Sequence, residues 1–457
     1  MWIGIDFGTT NSGAATFDGR QIRSFALDPA SHDPQVMRST LYITREHEVS
    51  VGQAAIDTYY RENIGHPSKM TRQWVGEIEI TTGDVGSVKG YPVGPQTEVR
   101  DVYVLVDEWM PGRLLYSLKS ALSSSYEGTT IFDRPYPLEE LIATYLRAIR
   151  ERVEAESSKP VEGVVLGRPV HFVDSQDTSA DQRAECRLRK AAEMAGLQEV
   201  SFELEPVASA LHFELTAPGP QNVVVFDFGG GTLDITVMRI GEQERQVFAV
   251  GGVGIAGDTF DRLVIEGLML EHFGRGSTFG PDQALFPNHY TDALLHWQTL
   301  AELNRPKTVR FIREAQRTSS HPKQLRALES LLVHNQAIRL NDEVEQAKVA
   351  LSSAPFAVIE MDGPDLDVWQ PVTRSQFEML VAGARQQVET CLLDTVDRSG
   401  LHRDEIDRVI RTGGSAQIPC FIDLIEQHFP GKVVQSDVFG SVTAGLAIRA
   451  REKSIQE

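Results

Sequence analysis

Residues 223–237 read VVVFDFGGGTLDITV, and residues 1–13 read MWIGIDFGTTNSG. Twice a short apolar run ends in Asp-Phe-Gly and then in threonine. A strand that breaks into glycines and hydroxyls leaves bare backbone N–H groups at its end, which is how a protein prepares an anion site. The doubling implies two related halves and a phosphate gripped from two sides. Gly229, Gly230 and Gly231 in succession carry an entropic cost, so backbone packed close to a ligand explains them better than a generic loop. The loop at Gly8, Thr9 and Thr10 is by itself equally a tight hairpin turn. Asp6 and Asp227 would repel a phosphate unless a hard cation stood between them, and magnesium held largely through its waters resolves that conflict. A third glycine pair, Gly413 and Gly414 in RTGGSAQIP, follows a strand-like run and precedes a helix.

A chain of 457 residues is too long for one ordinary core and predicts two or more subdomains. The formal net charge of -20 argues against a nucleic-acid groove, which needs a basic face. Cys186, Cys391 and Cys420 are far apart and form no CxxC pair, which fits neither a disulfide framework nor a zinc site and points to a reducing cytoplasm. The N-terminus has no charged leader region. No apolar run approaches the roughly 20 residues of a membrane span. Neither nucleic acid nor membrane is an expected partner.

Strand-like runs at Trp2–Ile5, Val161–Leu166, Asn222–Phe226, Ile235–Ile240 and Arg408–Arg411 alternate with helical patterns at Leu138–Ser157, Arg183–Ala195, Phe377–Val396 and Ile418–His428. That is an α/β pattern. Gly196 and Gly400 sit where helices stop. Ser68–Glu108 reads as a strand-bearing insertion. Phe273–Pro322, with GRGSTFGPDQALFPNHYTD followed by basic helix-forming segments, reads as another.

The motifs in their order resemble the ATPase domain of the seventy-kilodalton heat-shock (DnaK-type) chaperones, within the actin-like ATPase superfamily, and most of all the short YegD-like proteins. IGIDFGTTNSG resembles the first phosphate loop, VVLGRPVHFVDSQ a connecting segment, FELEPVASAL a helix start and FDFGGGTLDITV the second phosphate loop. GIAGDTFDRLV resembles the family's Gly-Gly-Glu-Asp-Phe-Asp helix, VEQAKVALSS the nucleotide-facing helix, TGGSAQIP the adenosine loop and GSVTAGLAIRA the closing helix.

The resemblance implies an actin-like ATPase fold of duplicated ribonuclease H-like domains, with two lobes around a central nucleotide cleft. Lobe I would span 1–218 and 436–457, with a core of 1–37, 135–218 and 436–457 and an insertion at 38–134. Lobe II would span 219–435, with a core of 219–255 and 370–435 and an insertion at 256–369. It also implies ATP or ADP with Mg2+, the metal held by Asp6 and Asp227. Catalysis would fall to Lys119 of YSLKSAL, Glu205, Asp227 and Thr232. Nucleotide contacts would come from Gly8, Thr9, Thr10, Asn11, Gly229, Gly230, Gly231, Asp234, Gly257, Glu345, Lys348, Ser352, Gly413, Gly414, Ser415 and Gln417. Other uses exist for some of these residues. A lone Lys119 is often a solvated surface residue, Glu205 before Pro206 can complement a helix dipole, and Glu345 with Lys348 is at the spacing of an exposed helix pair.

The implied activity is a slow, magnesium-dependent ATPase acting as a chaperone-like conformational switch, monomeric, with a protein partner or client. Departures from the family are Gln417 where it has an adenine-stacking Arg, a replaced Asp in DVFGSV, a longer stretch between Asp261 and Glu345, and a chain end soon after the closing helix, without a peptide-binding domain. Two other superfamily activities compete: a polymer-forming ATPase, and a small-molecule kinase with an acidic base facing an acceptor.

Overall fold

The computed structural model describes residues 1–64, 70–82, 86–88, 91–93, 96–124, 126–170, 172, 178–215, 217, 219–241, 245–295, 303–435 and 440–456, with backbone alone within 70–107 and at 178 and 456. Residues 171 and 173–176 of the connecting segment and positions 437–439 of DVFGSV lie outside the described residues, as do parts of the predicted insertion at 68–108.

A six-stranded and a five-stranded sheet form the frame; five strands of the first, leaving aside the short Met37–Arg38, share the topology of the second. The first holds β1 (Trp2–Phe7), β2 (Asn11–Phe17), β3 (Ile22–Ser24), β4 (Gly163–Arg168) and β5 (Glu199–Leu204) in the order β5-β4-β1-β2-β3. In it β1, β4 and β5 are parallel, while β2 and β3 run antiparallel. The second holds β6 (Gln221–Phe228), β7 (Leu233–Ile240), β8 (Gln246–Val253), β9 (Arg408–Thr412) and β10 (Val433–Gln435) in the order β8-β7-β6-β9-β10, with the same directions. Strand for strand β1 corresponds to β6. The echo between the two quoted stretches is therefore an echo of position, since both end the central strand of a half.

One face of each sheet carries helices of its own half. Ile3, Ile5 and Phe7 pack with α1 (Leu138–Ser157) and α2 (Thr178–Met194) in one core. Val224, Phe226 and Phe228 pack in the other with α4 (Gly257–Val264), α5 (Ala337–Ser353), α6 (Ala382–Arg398) and α7 (Pro419–His428). The opposite faces are covered by exchange. Helix α3 (Glu205–Glu214) follows β5 yet packs Val207 and Ala210 against Val223 and Val225 of β6. Helix α8 (Ser441–Gln456) follows β10 in sequence yet lies on the first sheet, with Val442, Leu446 and Ala450 against Val165. The two exchanged helices meet where only glycine fits: a Cβ on Gly445 would lie 1.6 Å from the Ala208 carbonyl oxygen.

Insertions extend both halves. A three-stranded sheet (Thr40–Thr44, Val49–Val51 and Gly112–Tyr116) with the helix Gln53–Glu62 belongs to the first, along with the long ribbon Met70–Thr82 and Gln96–Asp107. The second carries α4, the helices Pro306–Gln316 and Pro322–Val333, α5 and the hairpin Phe356–Gly363 with Leu366–Thr373. The single helix read at Phe377–Val396 is two, Arg374–Leu380 and α6, because Val381 leaves the helical region with ψ of 4°. Gly196 and Gly400 take φ of 87° and 74°, the left-handed conformation that ends helices.

Candidate functional site

Side chains alternate along a strand, and that parity decides what the two loops present. With Ile3, Ile5 and Phe7 in one core, Asp6 falls on the other face of β1, toward α8. With Val224, Phe226 and Phe228 buried beneath β6, Asp227 likewise falls on the face toward α3. Both carboxylates thus emerge at strand ends into the space between the lobes. There a cleft of about 870 Å³ opens, lined by Asp6, Asp227, Glu205, Asp234, Lys119 and the glycine loops. Each loop is the turn of a hairpin, Asp6 pairing across to Gly13 and Asp227 to Asp234. The hairpin reading and the anion-loop reading of Gly8–Thr10 describe one object.

The loops touch across the cleft. A Cβ on Gly230 would stand 2.3 Å from the Thr10 Oγ1, and one on Gly231 would stand 3.4 Å from the Thr9 Oγ1. Beneath the second loop Phe228, Phe260 and Phe421 stack and tilt at centroid separations of 5.0–5.7 Å, a rigid floor that fixes where the glycines lie. Ser415 donates its hydroxyl to the Gly229 carbonyl at 2.7 Å, and Gly413 and Gly414 line the same wall. Thr232 donates to Asp234 at 3.0 Å.

Lys119 is buried, and its Nζ donates to Glu205 Oε1 at 2.5 Å. It is not the solvated surface residue that a lone lysine usually is. Glu205 makes no capping bond at the start of α3; its carboxylate is committed to Lys119. Burial alone would pull the ammonium down, but Glu205 and Asp6 outweigh it and hold Lys119 above the ordinary lysine range. Burial, then the charge of Glu205, pushes the Asp6 carboxyl up to about 7, with Lys119 pulling the other way. Burial, then Glu205, Asp234 and Asp6, lifts Asp227 well above its usual value. Four carboxylates therefore face one ammonium, a surplus of negative charge that calls for a cation. Among the described residues no three ligand side chains converge into a metal cage. The donor set fits magnesium, which keeps most of its waters and takes one or two carboxylates.

On α5, Glu345, Lys348 and Ser352 all line the cleft, but two of them are already engaged. Arg38 donates both guanidinium nitrogens to Glu345 at 3.1 Å, tying the first lobe to the second. Burial alone would raise Glu345, yet Arg38 and Lys348 hold it below the usual range. Lys348 donates to Asp261 at 2.7 Å and to the Gly257 carbonyl at 3.2 Å. Glu345 and Lys348 are thus not an ordinary helix pair, since each binds a different element. Tyr60 donates to Asp342 at 2.5 Å beside them, and Tyr42, Tyr59 and Leu114 of the first lobe pack on Ile338 of the second.

All but one of the residues named from the sequence line this cleft. Gln417 does not. It closes a turn over Ser415–Gln417, donates its backbone N–H to the Gly414 carbonyl, and has its Nε2 buried without a hydrogen-bond partner. Its neighbour Ile418 lines the cleft in this loop. Sequence reasoning missed Arg38, Asp258 and Asp261, which also line it. Arg38 carries no motif and meets a partner 307 positions away.

The family model for the Hsp70 protein matches residues 119–279 and 324–452, more than half of the chain. The chain belongs to the Hsp70 family. It is accordingly an ATP-binding protein of chaperone type on the two-lobed, actin-like ATPase fold. The Hsp70 match takes in Lys119, Glu205, the second loop, α5, the third glycine pair and most of α8. It leaves out residues 1–118, with the first loop and Arg38, and residues 280–323. Among the described residues no helix is long and apolar enough to cross a membrane.

Proposed function

We propose that this Hsp70-family chain is a magnesium-dependent ATPase whose lobes close on nucleotide, a conformational switch read by a protein partner. One observation carries the proposal: the loops ending the two central strands meet, Gly230 against Thr10, in the cleft that Asp6, Asp227 and Lys119 also line. Backbone N–H groups of Gly8–Thr10 and Gly229–Thr232, with the threonine hydroxyls, would receive the phosphates. Asp6 and Asp227 would hold the hydrated magnesium, whose charge offsets that of the phosphates. Lys119, fixed by Glu205, keeps its proton and presents a positive charge from a buried position, where it stabilises developing negative charge far more than in water. Glu205 positions the lysine, and Asp234 holds the Thr232 hydroxyl.

Single-turnover hydrolysis tests this. The wild type should release phosphate from ATP in magnesium without any acceptor, and Lys119→Ala should slow that step by about 10² while changing ATP affinity little. Equal losses in binding and turnover would remove Lys119 from the chemistry. Phosphate release only on addition of an acceptor would favour a kinase.

A further inference from the structure

The insertion of the second lobe carries a surface whose charge opposes that of the whole molecule. Between Arg305 and Arg326 stand seven Lys and Arg and a single acidic residue, Glu314, in a chain of net charge -20. Helix Pro306–Gln316 buries Val309, Ile312 and Ala315. The helical period then turns Lys307, Arg310, Glu314 and Arg317 outward as one stripe, and all four are exposed. Arg313 is spent on Glu329 at 2.5 Å, and Arg326 lies 3.9 Å from Asp365. Among the described residues Lys307, Arg310, Arg317 and the exposed Lys323 of the neighbouring helix have no ion-pair partner. Most of this surface lies in residues 280–323, outside the Hsp70 match, so family membership gives it no task.

We propose that this stripe docks a short acidic segment of a partner protein. The stripe runs about 15 Å from Lys307 to Arg317, with Lys307 and Arg310 neighbours on one face, some 5–6 Å apart, and Arg317 two turns beyond Arg310, past Glu314. An extended acidic segment repeats a side chain on one face about every 6.6 Å, so three such side chains span about 13 Å and reach from Lys307 to Arg317. Attraction reaches only about 10 Å at 0.1 M salt. A short acidic segment stays within the stripe's field, whereas a long nucleic acid also meets the acidic remainder of the molecule. The nearby aromatic rings offer bases no platform, because Phe286 and Tyr290 stack on Phe311 and Phe279 meets it edge-on.

Fluorescence anisotropy on the full chain tests the assignment, with a short fluorescein-labelled oligoglutamate and, separately, a labelled oligouridylate of equal length. Oligoglutamate should bind saturably and more tightly than oligouridylate. The triple variant Lys307→Glu, Arg310→Glu, Arg317→Glu should lose about tenfold or more in that affinity while keeping wild-type ATP affinity, which shows that it is folded. Glu314→Lys, which removes the one repulsive charge, should tighten the complex about threefold. Oligoglutamate affinity unchanged by both variants, or tighter binding of oligouridylate, would overturn the proposal.

Discussion

At the scale of single residues, the cleft stands out for carboxyls held against their preference. Asp342 is a clear case outside the predicted phosphate site. Burial pushes its carboxyl from 3.8 up to about 6, against the hydrogen bond from Tyr60 and the charge of Arg38. A carboxyl raised in the folded state binds its proton more tightly there than in the unfolded chain. Its stabilising contribution is therefore complete below about pH 4 and is lost as pH rises to about 6. Asp342→Asn keeps an acceptor for Tyr60 and has no charge to bury. Relative to wild type the variant should gain about 1–3 kcal/mol of stability between pH 4 and 7, read by urea denaturation at both values. A stability difference that does not change with pH would show that the carboxyl is not strained. None of this was legible in the sequence, because Asp342 acquires its environment from Tyr60 and Arg38, which lie some three hundred positions away along the chain. Lys119 was legible by resemblance, but its burial and its bond to Glu205 came from the fold.

At the scale of elements, the two loops are where sequence and structure agree most closely. Strand ends in Asp-Phe-Gly predicted paired anion loops, and strand parity places both aspartates between the lobes. What the sequence could not supply is the distance between loops that lie over two hundred residues apart. The contact of Gly230 with Thr10 makes that distance testable. Gly230→Ala would press a methyl onto the Thr10 hydroxyl and should weaken ADP binding by about tenfold. In a Thr10→Ala background, where the hydroxyl is gone, the same change should cost much less, giving a coupling of about 1 kcal/mol in a double-mutant cycle. Strictly additive costs in titration calorimetry would mean the loops do not meet. The helix near Val381 was misread for the opposite reason, since local pattern alone does not register a one-residue break.

At the scale of the whole molecule, two copies of one sheet topology exchange their last helices, so that α3 and α8 cross between the lobes. The repeat was legible only through its two loops, because β2 (NSGAATF) and β3 lack the apolar alternation that marks a strand, while insertions separate the remaining equivalent strands. Closure at the rim rests on Arg38 with Glu345, Tyr60 with Asp342 and the apolar cluster around Ile338, all joining one lobe to the other. The cleft is lined by Asp6, Asp227, Glu205 and Asp234 and by the glycine loops, and the proposed function requires an occupant that brings both a polyanion and a cation. Titration calorimetry of ATP into the wild-type chain, in magnesium and then in excess EDTA, measures this directly. One site per chain is expected, with affinity falling about tenfold or more when magnesium is withdrawn, equivalent to about 1.4 kcal/mol. No binding, or the same affinity in EDTA, would contradict it.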